Sequence, residues 1–256
     1  MEDTDPGRIA ASWWDRHGAE YLADHRLLGV TNFSWGPEGW TEDDLRLLPD
    51  DPGLTLEVGA GAAQCSRWLA ARGHRVIATD ISSGMLAHAA RMNEETGIDV
   101  PLIRADVRTL PFADNSFDTA FTSFGAIGFL PDLCEPFAEV ARVLRPGGRW
   151  IYAATHPFSW PLPDSPHLDD LRVIRPYRSG EVYTETEGST ICYAEYAHTV
   201  SDHIGAIIAA GLTITGVLEP AWPAGNDQSW GAWGPERGAY LPGTIIFSTQ
   251  KPVPTV

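Results

Sequence analysis

Acidic residues and glycines recur in this sequence at spacings that suit the binding of a nucleotide. Glu57, Gly59 and Gly61 lie within residues 54–64, where an apolar run ends and a helical pattern begins. Glycine accepts positive φ angles and has no side chain, so a ligand can approach the backbone of such a turn closely. The N–H groups at the start of the following helix point toward whatever the turn holds. A strand, a glycine turn and a helix together therefore predict a nucleotide site.

Two further acids, Asp80 and Asp106, also end apolar runs. Asp80 lies 19 residues after Gly61, the distance at which a dinucleotide-binding enzyme places the acid that binds ribose. A carboxylate can accept hydrogen bonds from both ribose hydroxyls. The dinucleotide fingerprint also requires a third glycine, and this chain has Gln64 at that position. The spacing therefore indicates an adenosine ligand, while the missing glycine argues against an NAD-linked oxidoreductase.

These residues must be positioned by strands that share one edge of a sheet. From Leu54 to about Tyr152, short apolar runs alternate with helical segments, which predicts βαβ units and a parallel sheet. Ligands bind outside the carboxyl ends of the strands in such sheets. The polar residues at or just after predicted strand ends are Glu57, Asp80, Asp106, Ser123 and His156. We therefore expect one rim of the sheet to gather them.

The charge balance restricts the partners that this protein can bind. The chain has 256 residues, enough for one large domain or one domain with an appendage, and its 18 basic and 34 acidic residues give a net charge of −16. Such a charge opposes phosphate backbones and anionic membrane surfaces, and no basic stripe offsets it. Nucleic acids and membranes are therefore not expected as partners. A homodimer is left open.

Cysteine usage and the first residues of the chain predict the cellular compartment. Three scattered cysteines, Cys65, Cys134 and Cys192, are too few for a disulfide framework or a zinc site, so no metal is expected. The first residues are acidic and lack the basic-then-apolar order of a signal peptide. No apolar run reaches the length of a membrane span. These features predict a cytoplasmic protein.

A succession of motifs resembles one enzyme family. The pattern Glu57-x-Gly59-x-Gly61 looks like motif I of the class I S-adenosylmethionine-dependent methyltransferases. Residues 110–118 are similar to the segment that leads into the fourth strand of that family, and residues 144–148 resemble the turn before its fifth strand. The chain thus resembles the methyltransferases that act on small molecules, like those of ubiquinone and menaquinone biosynthesis.

A second, narrower resemblance covers the flanks. Residues 33–39, 123–129 and 233–238 look like the corresponding segments of a group of actinobacterial methyltransferases. This resemblance narrows the family but does not reveal which molecule accepts the methyl group.

The family resemblance implies a fold and a domain organisation. The expected fold is α/β, a Rossmann-like, mostly parallel seven-stranded sheet with helices on both faces and an antiparallel last strand. Residues 1–50 are expected to form an N-terminal helical cover, and residues 51–256 the methyltransferase domain. Prolines, tyrosines and charges without helical period predict an irregular substrate-side insertion at about 157–198.

The resemblance also implies a cofactor, S-adenosyl-L-methionine, with S-adenosyl-L-homocysteine as its product. In the bound cofactor, the ribose is expected to contact Asp80, and the adenine is expected to contact Asp106 and Val107. In the N-terminal segment, Tyr21, with His17 and His25, is a candidate for a lid over the methionine end. The full set of expected cofactor contacts is Glu57, Gly59, Ala60, Gly61, Gln64, Asp80, Ile81, Met85, Asp106, Val107, Ser123 and Tyr21.

Methyl transfer is an in-line displacement, so the main task of the protein is to hold nucleophile and methyl group in line. A general base is needed only when the acceptor must lose a proton. The candidates are His156 and His198, and a structural role for either histidine stays open. The candidate substrate contacts are Phe124, Tyr193, Trp222 and Trp233, and core packing is the alternative for the tryptophans.

The predicted function is methyl transfer to the O, N or C atom of a small organic acceptor. Two alternatives stay open because a fold does not determine a reaction. One is a lyase, isomerase or cyclase that uses the bound sulfonium without transferring its methyl group. The other is a non-catalytic protein that only binds the cofactor.

Overall fold

The computed structural model describes residues 5–24 and 29–254. Its strands are β1 (Leu54–Val58), β2 (Arg75–Asp80), β3 (Leu102–Arg104), β4 (Phe117–Thr122), β5 (Leu144–Thr155), β6 (Val182–Glu187), β7 (Thr190–Tyr196), β8 (Thr213–Leu218) and β9 (Thr244–Gln250). Its α-helices are α1 (Pro6–Asp24), α2 (Glu42–Leu45), α3 (Gln64–Ala71), α4 (Ser83–Thr96), α5 (Cys134–Val143), α6 (Val200–Ala209) and α7 (Pro235–Gly238).

Within these residues, seven strands form one sheet in the order β3-β2-β1-β4-β5-β9-β8. The first five strands in this order run parallel to one another, and β9 runs antiparallel to both β5 and β8. The order reverses at β1 and β4, which is where open α/β sheets bind their ligands. The predicted fold class, a mostly parallel seven-stranded sheet with an antiparallel last strand, is confirmed.

The central strands are buried on both faces, so buried and exposed residues do not alternate along them. Along β5, Trp150, Tyr152 and Ala154 pack on one face, while Ile151 and Ala153 pack on the other. This alternation follows from the two-residue period of a strand. Helices α5 and α6 cover the first face, and α3 and α4 cover the second. The predicted helices on both faces are therefore present.

The N-terminal segment is only partly helical. Helix α1 is fixed to the start of α4, because the Asp15 carboxylate accepts hydrogen bonds from Gly84 N (2.7 Å) and Ser82 Oγ (2.6 Å). Between α1 and α2, the described residues form irregular chain that inserts Phe33 and Trp35 into the core, both fully buried. Residues 1–4 and 25–28 of the expected helical cover lie outside the described residues. The cover is thus a helix followed by an anchored loop.

The segment expected to be an irregular insertion contains the antiparallel hairpin of β6 and β7 and two short 3₁₀ turns, Pro157–Ser159 and Leu168–Asp170. Trp13 of α1 packs against Tyr193 of β7, with 5.0 Å between the ring centroids. Arg16 of α1 forms an ion pair with Glu187 of β6 at 3.2 Å. The hairpin therefore lies against α1, and both elements flank the same end of the sheet.

None of the helices in residues 5–24 and 29–254 has the length and apolarity needed to cross a membrane. In the same residues, histidines, cysteines and acids form no group arranged to hold a metal ion.

Candidate active site

A deep cleft opens at the carboxyl ends of β1, β2, β3 and β4 and is covered by α1. Its floor contains the turn after β1, and its walls come from the residues that follow β2, β3 and β4. From α1, the side chains of Ala10, Trp14 and Tyr21 enter the cleft, and Trp230 closes it from the long loop between β8 and β9. The predicted convergence of strand ends at one rim is what forms this cleft.

The turn after β1 requires glycine at two positions. Gly59 has a φ of +70°, and a Cβ there would lie 2.5 Å from the Cβ of Ala126. Gly61 has a φ of +55°, and a Cβ there would lie 3.2 Å from Cε of Met85. Both positions favour glycine for conformation and space, since L side chains rarely adopt positive φ. The bare backbone of the turn forms a cradle that a ligand can approach.

Asp80 at the end of β2 holds this turn in place. One carboxylate oxygen accepts a hydrogen bond from Gly61 N at 2.7 Å, and the other accepts from Ser82 N at 2.8 Å. Burial raises the pKa of the Asp80 carboxyl, and the two backbone N–H groups oppose that rise. Each carboxylate oxygen has a second lone-pair direction, so Asp80 can still accept hydrogen bonds from a ligand in the cleft.

Asp106 follows β3 and is positioned by Arg108. Its carboxylate accepts a hydrogen bond from Arg108 N at 2.9 Å and from the guanidinium, with the shortest contact at 2.6 Å. Arg108 also forms an ion pair with Asp5, just before α1, at 3.1 Å. The acid therefore faces the cleft in a fixed orientation beside Val107, which also lines it.

Glu57 does not line the cleft. Its carboxyl lies beneath the glycine turn, where it accepts hydrogen bonds from the backbone N–H and the hydroxyl of Ser66 in the first turn of α3. It is 1% exposed, and burial raises its pKa to about 8. Arg67, also fully buried, favours the charged form. The prediction that Glu57 contacts the cofactor needs correction, because its side chain supports the turn from below.

The other predicted cofactor contacts all line the cleft. They are Gly59, Ala60, Gly61, Gln64, Asp80, Ile81, Met85, Asp106, Val107, Ser123 and Tyr21. His17 of the predicted lid faces away, with Nδ1 3.0 Å from Trp13 O, and His25 lies outside the described residues. Contact with a bound cofactor itself stays a prediction for all of these residues.

His156 does not fit the role of a general base. The side chain is fully buried and does not line the cleft. Its Nδ1 accepts a hydrogen bond from Phe158 N at 3.1 Å, so the ring proton is on Nε2, which lies 2.8 Å from the Glu219 carboxylate. With both ring nitrogens engaged, His156 has no free position for a substrate proton. Its observed role is to cap the short 3₁₀ turn Pro157–Ser159.

His198 does not reach the cleft either. Its Nε2 donates a hydrogen bond to Leu130 O at 2.7 Å, and Leu130 itself lines the cleft. Burial lowers the pKa of His198, which keeps the ring neutral. The structure therefore separates both histidines from the cleft, because the segments that carry them pack behind its walls.

Only one of the predicted substrate contacts lines the cleft, namely Phe124. Trp233 packs behind it at 5.5 Å, nearly perpendicular. Tyr193 packs on Trp13 and on Phe129 in a second layer. Trp222 donates its indole N–H to Asn226 O at 2.7 Å and packs on Gly238. The prediction of substrate contact is therefore wrong for Tyr193, Trp222 and Trp233, because their side chains do not line the cleft.

Two tryptophans line the cleft that are not among the four candidate substrate contacts, Trp14 and Trp230. Trp14 packs edge-to-face on Tyr21 at 5.0 Å, and Trp230 lies 5.7 Å from the same ring. For Trp14 a signal existed, since Ala10, Trp14 and Tyr21 share one face of a helix. Trp230 lies in a Gly/Pro-rich loop, where no periodicity indicates which tryptophan faces inward.

The charge of the cleft wall limits what can bind there. Among the described lining residues there is no lysine, arginine or histidine, and the acids are Asp80 and Asp106. The remaining wall is mainly apolar and aromatic. Such a wall excludes water, and ring faces attract a positively charged ligand. The cleft therefore suits a cationic nucleoside at its acidic end and an apolar molecule at its aromatic end.

Comparison with known proteins agrees with this geometry. Residues 55–148 match a family described as a methyltransferase domain. A demethylmenaquinone methyltransferase from Corynebacterium efficiens is 36% identical over 164 residues, which cover 62% of this chain and 64% of that relative. The match thus spans slightly less than two thirds of the length of the relative.

Solved structures share the fold. An S-adenosylmethionine-dependent methyltransferase from Mesorhizobium loti superposes with a TM-score of 0.60 at 23% identity, covering 80% of this chain and 94% of that chain. The [4+2]-cyclase SpnF superposes with a TM-score of 0.60 at 16% identity, covering 96% of both chains. At these identities the superpositions establish the fold alone, and the activities in the names of these two proteins belong to those proteins.

Proposed function

Since residues 55–148 form a methyltransferase domain, we propose that the protein transfers a methyl group from S-adenosyl-L-methionine to a small organic acceptor. The observation that carries this proposal is the convergence of the glycine turn, Asp80 and Asp106 on one cleft at neighbouring strand ends. The acceptor atom is O, N or C.

The residues present fit the cofactor. Asp80 has lone pairs left for the ribose hydroxyls, and Asp106 with Val107 can hold the adenine. Gly59 and Gly61 have no Cβ, so the methionine end of the cofactor can approach the backbone of the turn closely. When bound, the cofactor supplies a methyl group made electrophilic by a positively charged sulfur.

The chain contributes mainly position and exclusion of water. The side chains that form an aromatic wall of the cleft are Trp14, Tyr21, Phe124 and Trp230. Holding two reactants in line removes much of the entropic barrier of a two-body reaction. Ring faces also stabilise positive charge in a cleft from which water is excluded. These effects do not require a protein group that exchanges a proton.

No described lining residue is suited to act as a general base. Asp80 is held by two backbone N–H groups, and Asp106 is held by Arg108. Burial raises the pKa of the Tyr21 phenol well above neutrality, so the hydroxyl keeps its proton. We therefore propose that the acceptor brings its own nucleophile, such as an ionised oxygen or carbon acid or a free amine.

The aromatic wall favours a planar, largely apolar acceptor. The name of the Corynebacterium relative points to a quinone, and a ring of this kind suits a wall of tryptophan and phenylalanine. The hairpin β6–β7 packs on α1 next to this wall, which supports a substrate-side role for residues 157–198. A cytoplasmic location and a homodimer remain predictions from the sequence.

The test is detection of a methylated product. Purified protein is incubated with S-adenosylmethionine carrying a trideuterated methyl group and with a panel of quinols, phenols, enols and amines. We expect one class of acceptor to gain the labelled methyl group while S-adenosylhomocysteine accumulates, and an Asp80→Ala variant to form neither. Cofactor binding with no labelled product across the panel would instead favour the cofactor-dependent cyclase, lyase or isomerase alternative.

A further inference from the structure

Ser82 connects the acid at the end of β2 to helix α1. Its backbone N–H donates a hydrogen bond to Asp80 at 2.8 Å, and its hydroxyl donates to Asp15 of α1 at 2.6 Å. Gly84 N donates to the same Asp15 carboxylate at 2.7 Å, and a Cβ at Gly84 would lie 2.9 Å from Asp15 Cα. Helix α1 therefore contacts, at close range, a residue that orients Asp80.

Arg108 makes the corresponding connection for the acid after β3. Its guanidinium donates to Asp106 at 2.6 Å and to Asp5, the residue just before α1, at 3.1 Å. Gly7 lies in the first turn of α1, and a Cβ there would collide with the Arg108 guanidinium. Each acid of the cleft thus shares its protein partner with an acid of the N-terminal segment.

Few buried contacts hold α1 against the rest of the protein. Of its 19 residues, the buried ones are Ile9, Ala10, Ala11 and Gly18. In the ion pair with Arg108, the Asp5 side chain is 39% exposed, and exposed ion pairs add little stability. Segments with few buried apolar contacts open at a lower free-energy cost than the core. Helix α1 can therefore separate from the cleft while the sheet stays folded.

Such a separation changes the cleft in two ways. Helix α1 contributes Ala10, Trp14 and Tyr21 to the cleft wall, so its movement opens that wall to water. It also removes the carboxylates of the N-terminal segment from Ser82 and Arg108, the residues that orient the two cleft acids. The position of α1 and the geometry of the acidic end of the cleft are therefore linked.

On the basis of the proposed function, we propose that Asp5 and Asp15 are positioning residues that couple the closed position of α1 to the orientation of Asp106 and Asp80. With both contacts made, α1 covers the cleft and the two acids are held as a nucleoside requires. A nucleoside bound to these acids in turn favours the closed position of α1, because coupling between two sites is reciprocal. The rate at which the nucleoside leaves then depends on Asp5 and Asp15.

Stopped-flow mixing of the protein with S-adenosylhomocysteine measures this rate. The signal is tryptophan fluorescence, since Trp14 and Trp230 line the cleft, and its dependence on ligand concentration separates association from dissociation. We expect Asp15→Ala to raise the dissociation rate by about tenfold through loss of a charged hydrogen-bond acceptor, and Asp15→Asn, which keeps one acceptor oxygen, to raise it less. Glu20→Ala removes the same charge from an exposed position of α1 and should release the ligand at the wild-type rate.

Hydrogen exchange of the α1 amides distinguishes coupling from simple packing. In the wild-type protein, saturating S-adenosylhomocysteine should slow this exchange by about tenfold, within the usual range of coupling between sites. Most of the slowing should be lost in Asp15→Ala and kept in Glu20→Ala. If Asp15 only packed α1 in place, its removal would speed exchange equally with and without ligand, and the factor by which the ligand slows exchange would stay the same.

The outcomes separate the inference from the proposed function. A wild-type dissociation rate in Asp15→Ala, or an unchanged slowing of α1 exchange by the ligand, would overturn the inference while ligand binding itself stands. Failure of the wild-type protein to bind S-adenosylhomocysteine would overturn the proposed function and the inference with it. If Asp15→Ala does not fold, Asp5→Ala gives the same comparison at the other acid, with a smaller expected change because that ion pair is exposed.

Discussion

The Asp80 carboxylate accepts a hydrogen bond of 2.7 Å from the backbone N–H of Gly61. This bond joins the end of β2 to the turn after β1, and the second oxygen of Asp80 takes the N–H of Ser82 before α4. One side chain thus fixes two backbone segments of the cleft. The acid expected to bind ribose also organises the glycine turn before any ligand arrives.

Replacing Asp80 with asparagine should weaken cofactor binding while the protein stays folded. An amide can accept only one of the two backbone N–H bonds, and its NH₂ group faces the other N–H. We expect S-adenosylmethionine to bind about tenfold to a hundredfold more weakly, measured by calorimetry. Asp99→Asn, at an exposed position, is the control. Unchanged affinity in Asp80→Asn would remove this residue from the site.

Gly59→Val should lose cofactor binding and some stability. Valine is strained at a φ of +70°, at a cost on the order of 1–2 kcal/mol, and its Cβ would collide with Ala126. The matched control is Gly73→Val, because Gly73 has a φ of +84° but nothing within 4 Å of a Cβ. The control should lower the melting temperature without changing cofactor affinity. Equal affinity in both variants would contradict the assignment of the turn.

Much of the fold could be predicted from the sequence. The apolar runs ending in Glu57, Asp80 and Asp106 correctly indicated parallel strands whose ends share a rim, and the resemblance to methyltransferases is confirmed by the match of residues 55–148. The error at Glu57 arose from side-chain direction, since successive strand residues face opposite sides. The acid is in the right strand but points under the turn.

The part of the cleft expected to bind the methyl acceptor was harder to predict, because contacts between residues far apart in the sequence determine it. His156 is engaged by Glu219, which lies 63 residues away in sequence, and nothing in the local pattern announces that pair. Trp222, Trp230 and Trp233 stand in one irregular loop, yet of these only Trp230 lines the cleft. An irregular loop has no helical or strand periodicity to indicate which side chains face the cleft, so residue type alone did not distinguish Trp230 from the other two tryptophans.

His156→Ala should act on stability and not on proton transfer. The variant removes a buried ring that caps the 3₁₀ turn Pro157–Ser159 and pairs with Glu219. We expect a loss of about 1–3 kcal/mol in the free energy of unfolding, typical when a buried hydrogen-bonding partner is deleted. His167→Ala, at an exposed histidine, should be neutral. Thermal or urea unfolding measures the loss.

His156→Ala and its control His167→Ala also test whether His156 acts as a general base. Under conditions where both variants are folded, the pH dependence of turnover in His156→Ala should have the same shape as in the wild-type protein. Loss of an ionisation from that profile would restore His156 as the base.

Glu38 should make the stability of the protein depend on pH. Its carboxyl is 2% exposed, accepts a hydrogen bond from Thr244 Oγ1 at 2.7 Å, and has its other oxygen unpaired among the described residues. Burial raises its pKa above the ordinary value of 4.5. Below that value both the folded and the unfolded carboxyl are protonated. As the pH rises past 4.5, the Glu38 carboxyl ionises first in the unfolded chain, so the free energy of unfolding falls.

Glu38→Gln removes this effect because glutamine does not ionise. We expect the melting temperature of Glu38→Gln, relative to the wild-type protein, to rise as the pH increases above the ordinary pKa of 4.5, until the folded carboxyl ionises as well. Residues 233–236 have the same sequence as residues 35–38, Trp-Gly-Pro-Glu, but Glu236 is exposed, so Glu236→Gln should show no such trend. A constant difference for Glu38→Gln across this range would mean that the folded carboxyl is ionised at its ordinary pKa.

The central claim is that the cleft over β1 and β2 binds S-adenosylmethionine, and calorimetric titration of the wild-type protein tests it most directly. We predict one site per chain, with dissociation constants on the order of micromolar for S-adenosylmethionine and S-adenosylhomocysteine. Absence of binding by both ligands at about millimolar concentration, on protein shown to be folded by thermal unfolding, would contradict the account.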